Sequence, residues 1–121
     1  MNNKAVGDFG EMLAKEYLIK NKYNILETNF RTRIGEIDII AKKNDIIVFV
    51  EVKSRKSLKF GMPYEAVDHR KMQKIIKVAQ NYIVYRSRGD TQYRFDIVEV
   101  FLNEKNKINH IEDAFWLWLV I

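Results

Sequence analysis

One stretch, Ile46 to Val52, reads IIVFVEV and constrains this chain more than any other. It is rich in β-branched and aromatic side chains, so it is a strand. Side chains along a strand alternate faces. Glu51 and Lys53 therefore share a face with Ile47 and Phe49, while Val48, Val50 and Val52 fill the other. A charged pair on a face that is otherwise apolar needs a reason.

The flanking segments supply the architecture. Asp8 to Lys20 has Phe9, Met12, Leu13 and Tyr17 at helical spacing and predicts a helix. Asn21 to Tyr23 breaks it. A short strand follows over Asn24–Phe30, then a strand over Ile34–Ala41 and a polar turn, Lys42-Lys43-Asn44-Asp45. After the Ile46–Lys53 strand, Ser54 to Pro63 reads as a basic loop. A second helix starts at Asp68, a favourable N-cap, and runs to Arg86 with Met72, Ile75, Ile76, Ala79, Tyr82 and Ile83 on one face. Arg88-Gly89-Asp90 turns the chain into a strand over Tyr93–Phe101. A polar turn around Asn103–Lys107 leads to a last strand or short helix. The predicted order is α-β-β-β-α-β-β, an α/β class with a small mixed sheet flanked by two helices. With 121 residues, there is room for one domain, 1–121, and one modest core.

The strand before Ile46–Lys53 carries Asp38. If Ala41 pairs with Ile46, Asp38 faces Phe49, Glu36 faces Glu51, and Asp38 sits one diagonal step from Glu51 on the same face. An odd-length turn would break this, because a slip of one residue moves a whole set to the other face. Crowded carboxylates repel one another unless something positive lies between them. A divalent cation meets that need, and magnesium takes hard oxygen ligands of this kind. Lys53 would stand beside it, placed to hold a water and offset phosphate charge. The competing reading is a solvated edge strand, whose surface ion pairs contribute about 0–1 kcal/mol. Ile47 and Phe49 on the same face argue against it.

Asp38 followed by Glu51-Val52-Lys53 on adjacent strands, after a helix carrying Glu11, resembles the PD-(D/E)xK nuclease superfamily. GDFGEMLA, GEIDII, FVEVKSR, the Ala79–Tyr82 helix and YRFDIV together resemble the YraN-like family, bacterial relatives of archaeal Holliday-junction resolvases. The resemblance spans Gly7 to Phe101. It implies a restriction endonuclease-like fold and a magnesium-dependent nuclease, with manganese as a substitute. Asp38 and Glu51 would be metal ligands, joined by the backbone carbonyl of Val52 and by Glu11, and Lys53 would be the catalytic lysine. Junction-cutting members are dimers, so a homodimer is an implied partner state. One departure stands out: Ile37 precedes Asp38 where the superfamily's loose motif has proline.

Glu36 reads as an orienting neighbour of the acids. Lys53, Arg55, Lys56 and Lys59 form a basic run directly after the site, suited to gripping a phosphate backbone. Arg31 and Arg33 extend it from the other strand, and Lys71 or Lys74 can face the site from the second helix. The net charge of +5 favours a polyanionic partner, nucleic acid and DNA first. The chain has no cysteine, which excludes disulfides and thiolate zinc and fits a cytoplasmic setting. The longest apolar run, Phe115 to Ile121, falls far short of the ~20 residues that span a bilayer. His69 and His110 read as isolated. Asp8-Phe9-Gly10 spells a kinase motif inside a helix, without the rest of a kinase. Trp116 and Trp118 read as core or dimer contacts. Two other functions stay open: a nucleic-acid-binding module that cuts nothing, and a structural or partner-binding protein.

Overall fold

Asn2 starts the first helix. Its side chain accepts the Ala5 N–H at 2.8 Å, satisfying an amide that a helix N-terminus leaves open. The helix α1 (Asn3–Lys20) therefore begins five residues before the expected Asp8. Its buried stripe is Val6, Gly10, Ala14 and Leu18, one residue every turn. Phe9, Leu13 and Tyr17 flank that stripe half-buried, and Met12, expected on the core face, is exposed. Lys22 turns the chain with a φ of 71°, and the Tyr23 N–H returns to the Leu18 carbonyl at 2.9 Å.

In the computed structural model, residues 2–55, 69–86, 92–102, 105 and 107–115 are described. After α1 come β1 (Asn24–Arg31), β2 (Glu36–Lys43), β3 (Ile46–Arg55), α2 (His69–Arg86), β4 (Gln92–Phe101) and β5 (Lys107–Phe115). The α/β class and the element order match the expectation, and the final element is a strand. The N-cap at Asp68, the loop residues from Lys56 to Pro63, the Arg88–Asp90 turn and the two tryptophans lie outside the described residues. Ser54 and Arg55 belong to β3, where they pair with Val100 and Phe101, and not to a loop.

The sheet runs β1-β2-β3-β4-β5. Neighbours are antiparallel except β3 and β4, which are parallel and joined through α2. That connection follows from chemistry: parallel neighbours need a long crossover, and α2 supplies it. The strand β3 is central, and both of its faces are covered. Val48 and Val50 pack with Ala14 and Leu18 of α1, together with Ile39, Val98 and Val100. Ile47 and Phe49 pack with Ile75, Ile76, Val78, Ala79 and Tyr82 of α2. Tyr82 stands edge-on to Phe30 and Phe49, with centroids at 5.4 and 5.9 Å. Each of these large side chains contributes about 1.5–3 kcal/mol by burial.

The β2–β3 turn corrects the expected register. Asn44 adopts a φ of 55°, which asparagine tolerates, and closes a tight turn with Asp45. Lys42 and Lys43 are thereby strand residues, so Ala41 pairs with Val48 and Lys43 with Ile46. Parity is as expected, but the alignment is shifted by two. Asp38 falls in phase with Glu51 instead of Phe49, and Glu36 is not opposite Glu51. The ladder between β2 and β3 ends at Ile39 and Val50. Beyond it, β2 stays with β1 as far as Glu36, and β3 stays with β4 as far as Arg55. The sheet forks there.

Candidate functional site at the fork of the sheet

Asp38 sits at the fork. Its Oδ2 accepts the Val52 N–H at 2.8 Å, giving a partner to an amide beyond the end of the β2–β3 ladder. Its carboxyl group meets that of Glu51, which is 4% exposed. Burial, the Glu51 charge and, further off, Glu11 push the Asp38 carboxyl up to about 8, although the Val52 N–H pulls the other way. Two acids thus share a place too dry and too close for both to ionise without a compensating cation.

From the other side, α2 brings Lys71. Its Nζ lies 2.6 Å from Glu51 Oε1. Burial works against the Lys71 ammonium, but the Glu51 carboxylate outweighs it and raises its pKa. Lys53 behaves oppositely. Half-buried and beside the Lys71 charge, it is held below the usual lysine range, with Glu51 only partly offsetting this.

Asp38 and Glu36 border two clefts. One, of about 480 Å³, is also lined by Glu51, Arg70, Lys71 and Lys74. The other, of about 550 Å³, is also lined by Glu11, Asn29, Arg31, Val52 and Lys53. Glu11 reaches this second cleft because α1 packs tightly on β3. A Cβ on Gly10 would sit 2.7 Å from Ser54 Cβ and overlap its hydroxyl, so only glycine permits that approach. Burial raises the Glu11 pKa, against a hydrogen bond with Asn29, and the acids Glu36, Asp8 and Glu51 add to it.

Asp38, Glu51, Val52 and Lys53 are therefore brought together at the fork. Among the described residues, no group of three or more His, Asp or Glu side chains is arranged to hold a metal ion. Glu11 borders the site without completing a three-carboxylate set. Glu36 is engaged by Arg31, whose Nε lies 2.5 Å from its Oε2 at the rim. Arg33 is exposed in the turn before β2, and Arg55 is half-buried at the end of β3. Lys74 is exposed on the α2 wall. Lys56 and Lys59 lie outside the described residues.

Sequence reasoning missed a second polar cluster. His110 is not isolated. Its Nε2 lies 2.6 Å from Asp96 Oδ2, and its Nδ1 lies 3.0 Å from the Tyr17 hydroxyl. Arg94 donates to both Asp96 oxygens at 2.8 and 2.9 Å and to the Tyr23 hydroxyl at 2.7 Å. The available signal was Arg94 and Asp96 two apart in YRFDIV, on one face of an apolar strand. Glu99 is likewise fully buried. Asn109 donates to its Oε1 at 2.6 Å, and its Oε2 has no partner among the described residues. No helix among the described residues is long and apolar enough to cross a membrane.

A family model described as "Uncharacterised protein family UPF0102" matches residues 10–100. A UPF0102 protein of Caldicellulosiruptor bescii is 59% identical over 119 residues, covering 95% of this chain and 100% of the relative. One from Clostridioides difficile is 56% identical over 115 residues, with the same coverages. One from Clostridium beijerinckii is 52% identical over 118 residues, covering 95% of this chain and 96% of the relative. The matched span takes in α1 from Gly10, the fork, the cleft bordered by Lys71 and, of the other cleft, the lining from Glu11 onward. The chain belongs to the UPF0102 family.

Proposed function

We propose that this protein is a metal-dependent endonuclease of the PD-(D/E)xK superfamily with a restriction endonuclease-like fold. It hydrolyses phosphodiester bonds in structured or single-stranded nucleic acid, DNA in preference to RNA. The observation that carries this reading is the Asp38–Glu51 carboxyl pair at the sheet fork, Glu51 buried and Asp38 half-buried, with Lys53 two residues along β3.

The donor set suits a hard divalent cation. Two carboxylates and a backbone carbonyl are oxygen ligands of the kind magnesium takes, with water and substrate completing the shell. Asp38, Glu51 and the Val52 carbonyl would hold magnesium, or manganese in its place, whose chemistry when bound is to offset charge developing on an attacked phosphate. The rest falls to the chain. Val52 N–H fixes the Asp38 carboxyl in orientation. Lys53, held below the usual lysine range, is more readily neutral at Nζ, where it can accept a proton from the attacking water. Arg70 and Lys74 border one cleft and Arg31 the other, where they meet phosphates flanking the cut.

A second reading, a binding module that keeps the fold and cuts nothing, is favoured by one observation: Glu51 already has a cation on it, the Lys71 ammonium at 2.6 Å. Cleavage decides between them. Labelled four-way junction, flap, single-stranded and duplex DNA are incubated with the protein, with and without magnesium or manganese, beside Asp38→Asn and Lys53→Ala. Metal-dependent cutting lost in both variants supports the nuclease. Binding at low salt with no cutting of any substrate gives the field to the module.

A further inference from the structure

Glu51 is 4% exposed and shares a strand face with Phe49. A carboxylate in such a place is costly to leave without a positive partner. The partner present is Lys71, at 2.6 Å. The Lys71 side chain is 43% exposed, so it keeps access to solvent while the Glu51 side chain, at 5%, does not. The backbone under Lys71 is fixed, because the next turn of α2 buries Ile75 and Ile76 in the core. Any movement of its ammonium is therefore a change of rotamer along a flexible four-carbon stem. The cleft it borders, about 480 Å³, leaves room for that movement, and Arg70 and Lys74 border the same space.

A divalent ion on Glu51 and an ammonium 2.6 Å from the same carboxylate are like charges competing for one ligand. We propose that Lys71 is the resident counter-ion of the site: it neutralises Glu51 in the free protein, and a divalent metal loads by displacing it toward substrate phosphate in the Arg70–Lys74 cleft. This rests on the metal-dependent reading above and gives it a regulation. In the free chain, Lys71 opposes metal binding. With a phosphate backbone in the cleft, the displaced ammonium has a new anion, and metal binds more tightly. Because such coupling is reciprocal, metal tightens nucleic-acid binding by the same factor.

The test is Mn²⁺ affinity of the full-length protein without nucleic acid, read by paramagnetic resonance or calorimetry. Wild type is compared with Lys71→Met, which keeps the stem and removes the charge, and Lys71→Arg, which keeps the charge. Lys71→Met is expected to bind Mn²⁺ about tenfold more tightly than wild type, and Lys71→Arg no more tightly. Thermal melting gives an independent readout. In chelator, Lys71→Met melts below wild type, because Glu51 loses the ammonium at 2.6 Å, and saturating Mn²⁺ raises its midpoint by more than it raises that of wild type. Equal Mn²⁺ affinity in wild type and Lys71→Met overturns the counter-ion role while leaving the metal site standing. Absence of Mn²⁺ binding in all three proteins overturns the metal-dependent reading, and the counter-ion role with it.

Discussion

Asp38 Oδ2 accepts the backbone N–H of Val52 at 2.8 Å, beyond the last β2–β3 pair. A carboxylate thus takes the place of a neighbouring strand. The bond aims Asp38 at Glu51 and ties both to the β3 backbone, so the two acids cannot relax apart without opening the fork. Preorganisation of this kind suits a binding site and costs stability.

That cost is measurable in the pH dependence of folding. The Asp38 carboxyl is raised from 3.8 to about 8, so between those limits the folded state holds a proton that the unfolded chain has lost. Stability contributed by this group is fully present below the lower limit and is lost as pH rises through the window. Asp38→Asn keeps an oxygen for the Val52 N–H and removes the charge. It is expected to be more stable than wild type in chelator at about pH 7, by on the order of 1 kcal/mol, with a flatter profile. Denaturant melts across the window check this, and a less stable Asp38→Asn would contradict it.

A divalent cation should reverse the same penalty. Ligands that bind only the folded state stabilise it by mass action, by about 2.7 kcal/mol at a hundredfold excess over Kd. Magnesium or manganese is expected to raise the melting midpoint of wild type near neutral pH. An Asp38→Asn, Glu51→Gln double variant should show no such rise. Calcium, which also takes oxygen ligands, is a useful comparison. A rise of equal size in the double variant would place the cation elsewhere.

Much of this arrangement was legible in the sequence. IIVFVEV identifies a strand covered on both faces, and its period-2 pattern puts Glu51 with Phe49. The same alternation in GEIDII puts Asp38 on the matching face. The register was not legible to the residue. It depends on Asn44 accepting a left-handed conformation, which absorbs Lys42 and Lys43 into the strands and moves Asp38 from Phe49 to Glu51. Lys71 was visible only as one of two lysines on α2, with Lys74, that could face the site, because which one meets Glu51 depends on how the helix is placed. The Asp96 cluster is non-local in the same way. Its partners His110 and Tyr17 lie on β5 and α1, and no periodicity within β4 reports them.

The contact between α1 and β3 offers a cleaner test of how Glu11 is brought to the cleft. A Cβ at residue 10 would overlap the Ser54 hydroxyl and sit 2.7 Å from Ser54 Cβ, while Ser54 Cα would be at an ordinary 3.7 Å. Gly10→Ala is expected to cost about 1–3 kcal/mol, typical of overpacking. Ser54→Gly removes the two obstructing atoms, so the double variant should recover most of the loss. The coupling from a double-mutant cycle is the quantity to measure. Additive effects of the two substitutions would mean that α1 does not rest on Ser54.

Asp96 presents the opposite electrostatics to Asp38. It is fully buried, which alone would raise its pKa, but hydrogen bonds with His110, Arg94 and the Asp113 N–H hold it below the usual carboxylate range. A depressed carboxylate contributes stability that is present above its unfolded value and is lost as pH falls through its folded value. Asp96 therefore supports the fold near neutrality and withdraws that support only in acid below about pH 4. Asp96→Asn leaves Arg94, whose side chain is 17% exposed, without its bidentate carboxylate, and weakens the acceptor for His110. Breaking a buried pair from one side typically costs about 3–5 kcal/mol. Asp96→Asn is expected to lose an amount of that order near neutral pH, and the gap to wild type should narrow as the pH is taken into acid. A gap that stays constant with pH would mean that packing, and not the ionised carboxylate, is what Asp96 contributes.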